Sequence, residues 1–99
     1  MAIRQLFLWS VKDGHDAERV LEQMSHLNRQ IPRLIDWSIG KHIGVQENAT
    51  IGKFDYGMTI DVESYDDLNS YLNDPDQVAL VDEIYESLRD SAWVDLSIG

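Results

Sequence analysis

The clearest pattern in this 99-residue chain is the alternation of apolar and polar positions over residues 2 to 11. One face of this segment carries Ile3, Gln5, Phe7, Trp9 and Val11, and the other carries Arg4, Leu6, Leu8 and Ser10. Both faces are largely apolar, which is typical of a strand that is covered on both sides. The pattern therefore predicts a central strand, and Asp13-Gly14 predicts the turn that follows it.

A helical period follows over residues 16 to 30. Its inward positions are Ala17, Val20, Leu21, Met24, Leu27 and Ile31. Asp13 or Asp16 is suited to cap the N-terminus of this helix. Pro32 ends it, because the residue before a proline is displaced from the helical region.

Two strands and a loop are predicted next. The second strand, residues 33 to 45, places Ile35, Trp37, Ile39 and Ile43 on one side. Residues 46 to 53 are polar and predict a loop. The third strand alternates cleanly, with Phe54, Tyr56, Met58, Ile60 and Val62 on its apolar face.

The remaining third of the chain predicts two helical segments and a closing strand. Ser64 and Asp67 open a short helix in the capping pattern, with Tyr65, Leu68, Tyr71 and Leu72 inward. The stretch from Tyr71 to Val78, called the corner below, suits a change of direction with Asp74 as N-cap, Pro75 as first helical residue and Gln77 as third. The next helix faces inward through Val78, Val81, Ile84, Tyr85 and Leu88. The last strand, Ala92 to Ile98, sets Trp93, Asp95 and Ser97 against Val94, Leu96 and Ile98.

The predicted order is βαββαβ within one domain, residues 1–99, which fits a ferredoxin-like α+β sandwich with helices on one face of a four-stranded antiparallel sheet. The other face would then expose Leu6 and Leu8 of the first strand and Val94, Leu96 and Ile98 of the last. An exposed apolar sheet face is an interaction surface. We therefore expect a homodimer whose sheets pack face to face as a dimeric α/β barrel.

Composition narrows the partners. The formal charge of −10, from 18 acidic and 8 basic residues, argues against nucleic acid and anionic membranes. The absence of cysteine excludes disulfides and zinc–thiolate sites, and the three histidines are too scattered for a metal site. No apolar run approaches membrane-spanning length and no signal peptide is evident, so we expect a cytoplasmic protein.

Several segments together resemble the Dabb family, the stress-responsive A/B-barrel domains. They are Leu6-Phe-Leu8, Ile31-Pro32, Ile39-Gly40-Lys41, Val62-Glu-Ser64, the corner and Val94-Asp95-Leu96. The resemblance implies a homodimer, no cofactor and an apolar cavity between helices and sheet. Some family members are stress-associated proteins with no assigned reaction, and others are plant polyketide cyclases or hydroxynitrile lyases.

The chain departs from the cyclase-like members at the positions that carry their imidazoles. Their corner typically reads Tyr-x-x-His-Pro-x-His, whereas this chain keeps Tyr71 but has Asp74 and Gln77 at the histidine positions. Gln5 stands where these members often have a histidine in the first strand, and Met24 lies near the position at which some members have a tyrosine in the first helix. The aspartate of the last strand is kept as Asp95. A neutral amide cannot take up a proton near pH 7. The resemblance therefore predicts the family's cavity without its histidine chemistry.

Three polar side chains are candidates for function, and each has a structural alternative. Asp95, on the face of Trp93, could be a general acid or base, or it could be hydrogen-bonded to Gln5 on the neighbouring strand. Tyr71 could donate to a ligand carbonyl or enolate, or its hydroxyl could be satisfied within the core. Gln77 could orient a ligand or water, or return to the backbone amide of Asp74 as a capping box.

An aromatic-rich layer surrounds these candidates. Its predicted members are Phe7, Trp9, Trp37, Tyr56, Met58 and Trp93. They could line a cavity for a small apolar or aromatic ligand, or fill the core. The first hypothesis is a small-molecule-binding protein, with a cofactor-free cyclase, lyase or isomerase acting on a small carbonyl or polyketide-like compound as its enzymatic form. The alternatives are a non-enzymatic stress-responsive assembly protein and, ranked lower, a cofactor-free monooxygenase-like barrel.

Overall fold

The computed structural model describes residues 2–43 and 54–99. Its elements are β1 (Ala2–Val11), α1 (Ala17–Arg29), β2 (Leu34–Lys41), β3 (Tyr56–Val62), α2 (Tyr65–Leu72), α3 (Pro75–Glu86) and β4 (Leu88–Ile98). The predicted ferredoxin-like order is confirmed, with its second helical part divided at the corner into α2 and α3. The predicted loop over 46–53 lies outside the described residues.

The four strands form one antiparallel sheet in the order β2-β3-β1-β4. The prediction of a central first strand is confirmed, because β1 pairs with β3 on one side and β4 on the other. The edges of the sheet are therefore β2 and β4. The helices pack on one face, and the opposite face, which carries Leu6 and Leu8, is called the open face below.

The core lies between the helices and β1 and β3. Its buried members are Phe7, Trp9, Val20, Met24, Leu27, Ile31, Ile60, Val62, Leu68, Tyr71, Ile84 and Leu88. Trp9 is fully buried, with its ring stacked on Phe7 and Tyr56 at centroid distances of 5.7 Å each. The core thus combines large apolar side chains from the sheet and from all three helices.

The helix caps follow the sequence. Asp16 caps α1 by accepting from the backbone amides of Glu18 and Arg19, and Ser64 caps α2 by accepting from Asp67. Asp74 caps α3 by accepting from the amide of Asp76, with Pro75 at the start of the helix, as predicted. Within the part of the chain that the structure describes, no helix is long and apolar enough to cross a membrane.

The second strand differs from its prediction at its beginning. Arg33 lies in the left-handed region (φ 57°), so the strand begins at Leu34. A register shift between Leu34 and Asp36 then places Leu34 opposite Val62 and Trp37 opposite Ile60. The predicted inward side chain Ile35 is consequently exposed, because the bulge moves it out of the alternation and Leu34 packs against the core instead.

The last strand is longer than predicted. It begins at Leu88, directly after the α3 cap Ser87, whereas the sequence pattern placed Leu88 on the inner face of a helix. Two interactions hold the beginning of β4 in this position: Val11 pairs with Leu88, and the Lys12 amide donates to the Ser87 carbonyl at 2.8 Å. Leu88 is still buried, but as the first residue of β4.

The open face has an apolar half and a polar half. On β1 and β4, Leu6 lies opposite Val94, and Leu8 and Leu96 are about 40% exposed. Leu8 also leans across β3, where a Cβ added to Gly57 would lie 3.1 Å from its Cδ2. The half formed by β2 and β3 is polar.

Two side-chain pairs form this polar half. Arg4 donates two hydrogen bonds of 2.8 Å to Asp61, and the hydroxyls of Ser38 and Thr59 lie 2.7 Å apart. The Arg4 guanidinium holds the pKa of the Asp61 carboxyl below its usual range. The open face is therefore divided into two halves across the strands. Apolar side chains lie toward β4, and paired polar groups lie toward β2.

Candidate functional site

A cavity of about 290 Å³ opens between the helices and the helix-facing side of the sheet, and we call it the helix–sheet cavity. Its lining residues are Gln5, Phe7, Met24, Leu27, Met58, Tyr65, Leu68, Asn69, Leu72, Val81, Ile84, Tyr85, Trp93 and Asp95. Every helix and three of the four strands contribute. Its walls are mostly aliphatic and aromatic, with a few polar groups, which is the usual constitution of a small-molecule site.

The polar end of the cavity is a pair of side chains on neighbouring strands. Gln5 of β1 and Asp95 of β4 are directly opposite in register, and Gln5 Nε2 donates to Asp95 Oδ1 at 3.1 Å. The hydrogen bond between these residues is therefore as the sequence suggested. Asp95 is nevertheless exposed rather than enclosed by the apolar layer, and it lines the cavity while bonded to Gln5.

Aromatic rings line the cavity and its mouth. Phe7 is buried opposite Trp93 in the sheet register and meets Tyr85 of α3 edge to face, with centroids 6.1 Å apart. Trp93 is 63% exposed, so the prediction that this indole belongs to the packed layer is corrected. The cause is its position on the edge strand β4, where the helices cover the sheet incompletely. Burial raises the pKa of the Tyr85 hydroxyl, which favours its neutral, donating form.

Tyr71 is not among the residues that line the cavity. Its hydroxyl is buried and donates to the backbone carbonyl of Leu27, so it connects α2 to α1. Desolvation, assisted by the charge of Asp74, raises the pKa of Tyr71 to about 12. The structure therefore places this side chain in a helix–helix contact rather than in the cavity, which matches the structural alternative for Tyr71.

Tyr71→Phe tests this placement through the pH dependence of stability. Because the Leu27 carbonyl also accepts from the Gln30 amide, we expect a loss of only about 0.5–1.5 kcal/mol at neutral pH. The unfolded tyrosine ionises near its ordinary value of 10 and the folded one near 12. Unfolding therefore releases a proton between these values, so this contribution to stability is complete below pH 10 and lost as the pH rises to 12.

Urea unfolding at intervals from pH 7 to pH 12 measures this effect. The difference in unfolding free energy between the wild type and Tyr71→Phe should shrink above pH 10. Parallel curves for the two proteins across this range would show that the Tyr71 hydroxyl is not held in its protonated form by the fold.

Three of the predicted lining aromatics lie elsewhere. Trp9 is enclosed in the core, and Trp37 packs beside α1 with the Arg29 guanidinium carbon 5.7 Å from its ring centroid. Tyr56 stacks on Trp9 and borders a separate hollow near Leu8 on the open face. Trp9, Trp37 and Tyr56 therefore do not line the cavity, whereas Phe7, Met58 and Trp93 of the predicted layer line it together with Met24.

Gln77 is also outside the cavity, and neither interpretation of it describes its contact. The amide Nε2 donates to Gln30 Oε1 at 3.1 Å, and the Gln30 amide nitrogen in turn lies 2.5 Å from His26 Nε2. The backbone amide of Asp74 donates to the Tyr71 carbonyl, so no capping box forms. Gln77 instead links the start of α3 to the end of α1.

Most of the helical wall of the cavity lies outside the predicted site residues. Tyr65, Leu68, Asn69 and Leu72 follow the i, i+3, i+4, i+7 spacing of one helix face, and Val81, Ile84 and Tyr85 do the same on α3. All of these except Asn69 were recognised as inward positions. The signal was therefore present, but periodicity does not distinguish a side chain that borders a cavity from one that fills the core.

Fold and site together define a ferredoxin-like α+β domain with an apolar cavity between its helices and sheet. Within residues 2–43 and 54–99, no cluster of three or more potential metal-ligating side chains occurs. The model of the Stress Responsive A/B Barrel Domain (Dabb) family matches residues 3–98. This chain therefore belongs to that family, as its sequence segments suggested.

Solved structures extend the comparison. A dimeric ferredoxin-like protein of unknown function from Thermobifida fusca is 26% identical, with a TM-score of 0.79 over 99% of this chain and 92% of that chain. A hydroxynitrile lyase from Passiflora edulis is 13% identical, with a TM-score of 0.82 over 99% of this chain and 94% of that chain. SnoaB, a cofactor-independent oxygenase from Streptomyces nogalater, is 11% identical, with a TM-score of 0.72 over 98% of this chain and 92% of that chain. The last two share the fold alone. Comparison with curated proteins gave no match.

Proposed function

We propose that this protein is a homodimer that binds a small, largely apolar molecule in the helix–sheet cavity of each protomer. The observation that carries the proposal is the cavity itself, which is open to solvent and lined by apolar side chains around the Gln5–Asp95 pair. A cavity of about 290 Å³ is near the lower end of the range for small-molecule sites. The ligand is accordingly a compact molecule such as a substituted monocyclic aromatic compound.

Acid–base chemistry is the reaction class that the lining residues favour. Asp95 is the only carboxylate among them, and Gln5 fixes one of its oxygens. A carboxylate held in this way can accept a proton from an acidic O–H or C–H of a bound carbonyl or polyketide-like compound and return it to another atom of the same ligand. Such an isomerisation or cyclisation needs no cofactor. Tyr85 and Asn69, which also line the cavity, would orient the ligand's oxygens.

The fold alone does not select the reaction. Two of the similar structures are a lyase and an oxygenase, so one scaffold carries different chemistries, and the reaction of this chain depends on its own side chains. Asp95 favours proton transfer over the monooxygenase alternative. A purely structural, stress-related role is the second candidate, and it is favoured by the apolar half of the open face, which is independent of the cavity.

Val81→Phe is the variant that tests ligand binding. Val81 is half-buried and lines the cavity from α3, so a phenyl ring at this position should occupy the ligand's space. Val78→Phe is its matched control, because Val78 lies on the same helix, is 39% exposed and does not line the cavity. The probe is 4-butylanisole, a neutral aromatic ether, and the expected dissociation constant is below about 1 mM.

Methyl NMR gives the readout, because two of the chain's three methionines, Met24 and Met58, line the cavity. Saturable shifts of both methyl signals are expected in the wild type and in Val78→Phe, and no saturable shifts in Val81→Phe. If 4-butylanisole binds Val81→Phe as tightly as the wild type, or if neither it nor its analogues with a donating head, 4-butylphenol and 4-butylbenzylamine, shift the methyl signals of the wild type, the proposed cavity function is wrong.

A further inference from the structure

The charge of the helix–sheet cavity is one-sided. Among the described residues that line it, Asp95 is the only charged side chain, and none of them is a lysine, arginine or histidine. One N–H of the Gln5 side-chain amide is already engaged, because its Nε2 donates to Asp95 Oδ1. An anionic ligand head placed at this end would therefore meet a carboxylate with no cation to compensate either charge.

The rest of the protein does not offset the negative charge at the polar end of the cavity. The chain carries a formal charge of −10, so the field outside the cavity also disfavours the approach of anions. The four aromatic residues that line the cavity, Phe7, Tyr65, Tyr85 and Trp93, supply apolar walls, and aromatic ring faces attract cations rather than anions. The lining of the cavity and the net charge of the protein thus both disfavour anionic ligands.

The geometry of the polar end indicates what it can accept. An ionised carboxylate only accepts hydrogen bonds and has about four lone-pair sites, of which the Gln5 bond uses one. A ligand head that donates an O–H or N–H can occupy a remaining site of Asp95. An ether or carbonyl oxygen cannot, because two acceptors would then face each other.

We infer that the helix–sheet cavity selects ligands whose polar head donates a hydrogen bond to Asp95 and carries no negative charge, as in phenols, enols and protonated amines, and rejects carboxylates of the same shape. This inference rests on the proposed function and names the ligand class of that site. It also gives Gln5 a positioning role, because its amide fixes the orientation of the Asp95 carboxylate that accepts the hydrogen bond of the ligand's polar head.

Four ligands with one apolar body test the inference: 4-butylphenol, 4-butylbenzylamine, 4-butylanisole and 4-butylbenzoate. Dissociation constants are measured at pH 7 by titration of the Met24 and Met58 methyl signals. The phenol and the amine should bind more tightly than the ether, and the benzoate should bind at least about tenfold more weakly than the phenol.

Asp95→Asn supplies the matched variant, because it removes the charge and keeps the shape. In this variant the benzoate should gain affinity and the amine should lose it, each by about tenfold. Asp90→Asn removes one charge from the same strand at a position that does not line the cavity, so it should leave the ranking of the four ligands unchanged. Equal shifts in Asp95→Asn and Asp90→Asn would assign the selectivity to net charge and overturn the role of Asp95.

The outcomes separate the inference from the proposed function. If the benzoate binds as tightly as the phenol, and Val81→Phe still abolishes both, the inference is wrong while the cavity remains a ligand site. If none of the four ligands shifts the methionine methyl signals, the proposed function and the inference are both wrong.

Discussion

We expect Trp9→Ala to lower the free energy of unfolding by about 3–5 kcal/mol, the range found when a large aromatic side chain is removed from a core. Trp9 is fully buried on the central strand, and its ring stacks on Phe7 and on Tyr56 at 5.7 Å. Removing it leaves a space bounded by residues of two strands, which the surrounding sheet cannot close by moving one side chain. Because domains of this size are stabilised by about 5–15 kcal/mol, this loss is a large fraction of the total.

Two other substitutions make the expectation specific. Trp93→Ala removes the same side chain from a position that is 63% exposed, and we expect a change within about 0.5 kcal/mol. Trp9→Phe keeps an aromatic ring between its two neighbours, so its loss should be clearly smaller than that of Trp9→Ala. It also provides a measurable protein if Trp9→Ala does not fold.

Urea unfolding followed by circular dichroism, at one protein concentration for all variants, measures the three differences. Similar losses for Trp9→Ala and Trp93→Ala would contradict the assignment of Trp9 to the core and Trp93 to the cavity mouth. The same assignment underlies the proposed ligand site, since an indole that filled the core at residue 93 would leave the cavity without its exposed aromatic wall.

The contrast between these two tryptophans shows what the sequence could predict. Alternation correctly placed Trp9 and Trp93 on the helix-facing side of the sheet, and it placed Gln5 beside Asp95 across neighbouring strands. Side-chain period and strand order depend on local geometry and on apolar patterning, which a single sequence contains. The fold and the polar pair of the site were predictable for this reason.

Exposure was not predictable from the same pattern. Trp9 and Trp93 have equivalent sequence signals, but one lies on the central strand and the other on an edge strand that the helices cover incompletely. Likewise, Tyr71 and Tyr85 are both inward helical positions, yet Tyr71 contacts α1 while Tyr85 lines the cavity. The distance between helices and sheet determines these outcomes, and it results from packing across the whole domain. The bulge that exposes Ile35 has the same non-local origin.

Gln5 and Gln77 occupy the two positions at which the resemblance to the cyclase-like members would place histidines, and they lie in different surroundings. Gln5 lies in the cavity and holds Asp95, whereas Gln77 bonds to Gln30 outside it. Gln5 therefore bears on the proposed chemistry of the cavity, whereas Gln77 contributes a contact between α1 and α3. The proton transfer that we propose accordingly depends on the Asp95 carboxylate rather than on an imidazole.

The proposed homodimer gives the second large expected effect, and Val94→Glu tests it. Val94 lies on the open face opposite Leu6 and beside the exposed Leu8 and Leu96, in the apolar half of that face. If two sheets pack through this surface about a two-fold axis, each dimer receives the new carboxylate twice. An unpaired buried charge costs about 3–5 kcal/mol, so the dissociation constant should rise by at least about a hundredfold.

Sedimentation equilibrium at micromolar concentration distinguishes the two species, because the protomer mass is 11.4 kDa and the dimer has twice that mass. The wild type should sediment as a dimer and Val94→Glu as a monomer with unchanged far-ultraviolet circular dichroism. Val78→Glu is the matched control, since Val78 is 39% exposed on α3, away from the open face, and its variant should remain dimeric. A monomeric wild type, or a Val94→Glu protein that stays dimeric, would mean that the apolar half of the open face is not the interface. Because Asp95 and Val94 are adjacent on β4 but belong to opposite faces, a variant that dissociates while still binding 4-butylanisole would also show that each protomer's cavity is complete without its partner.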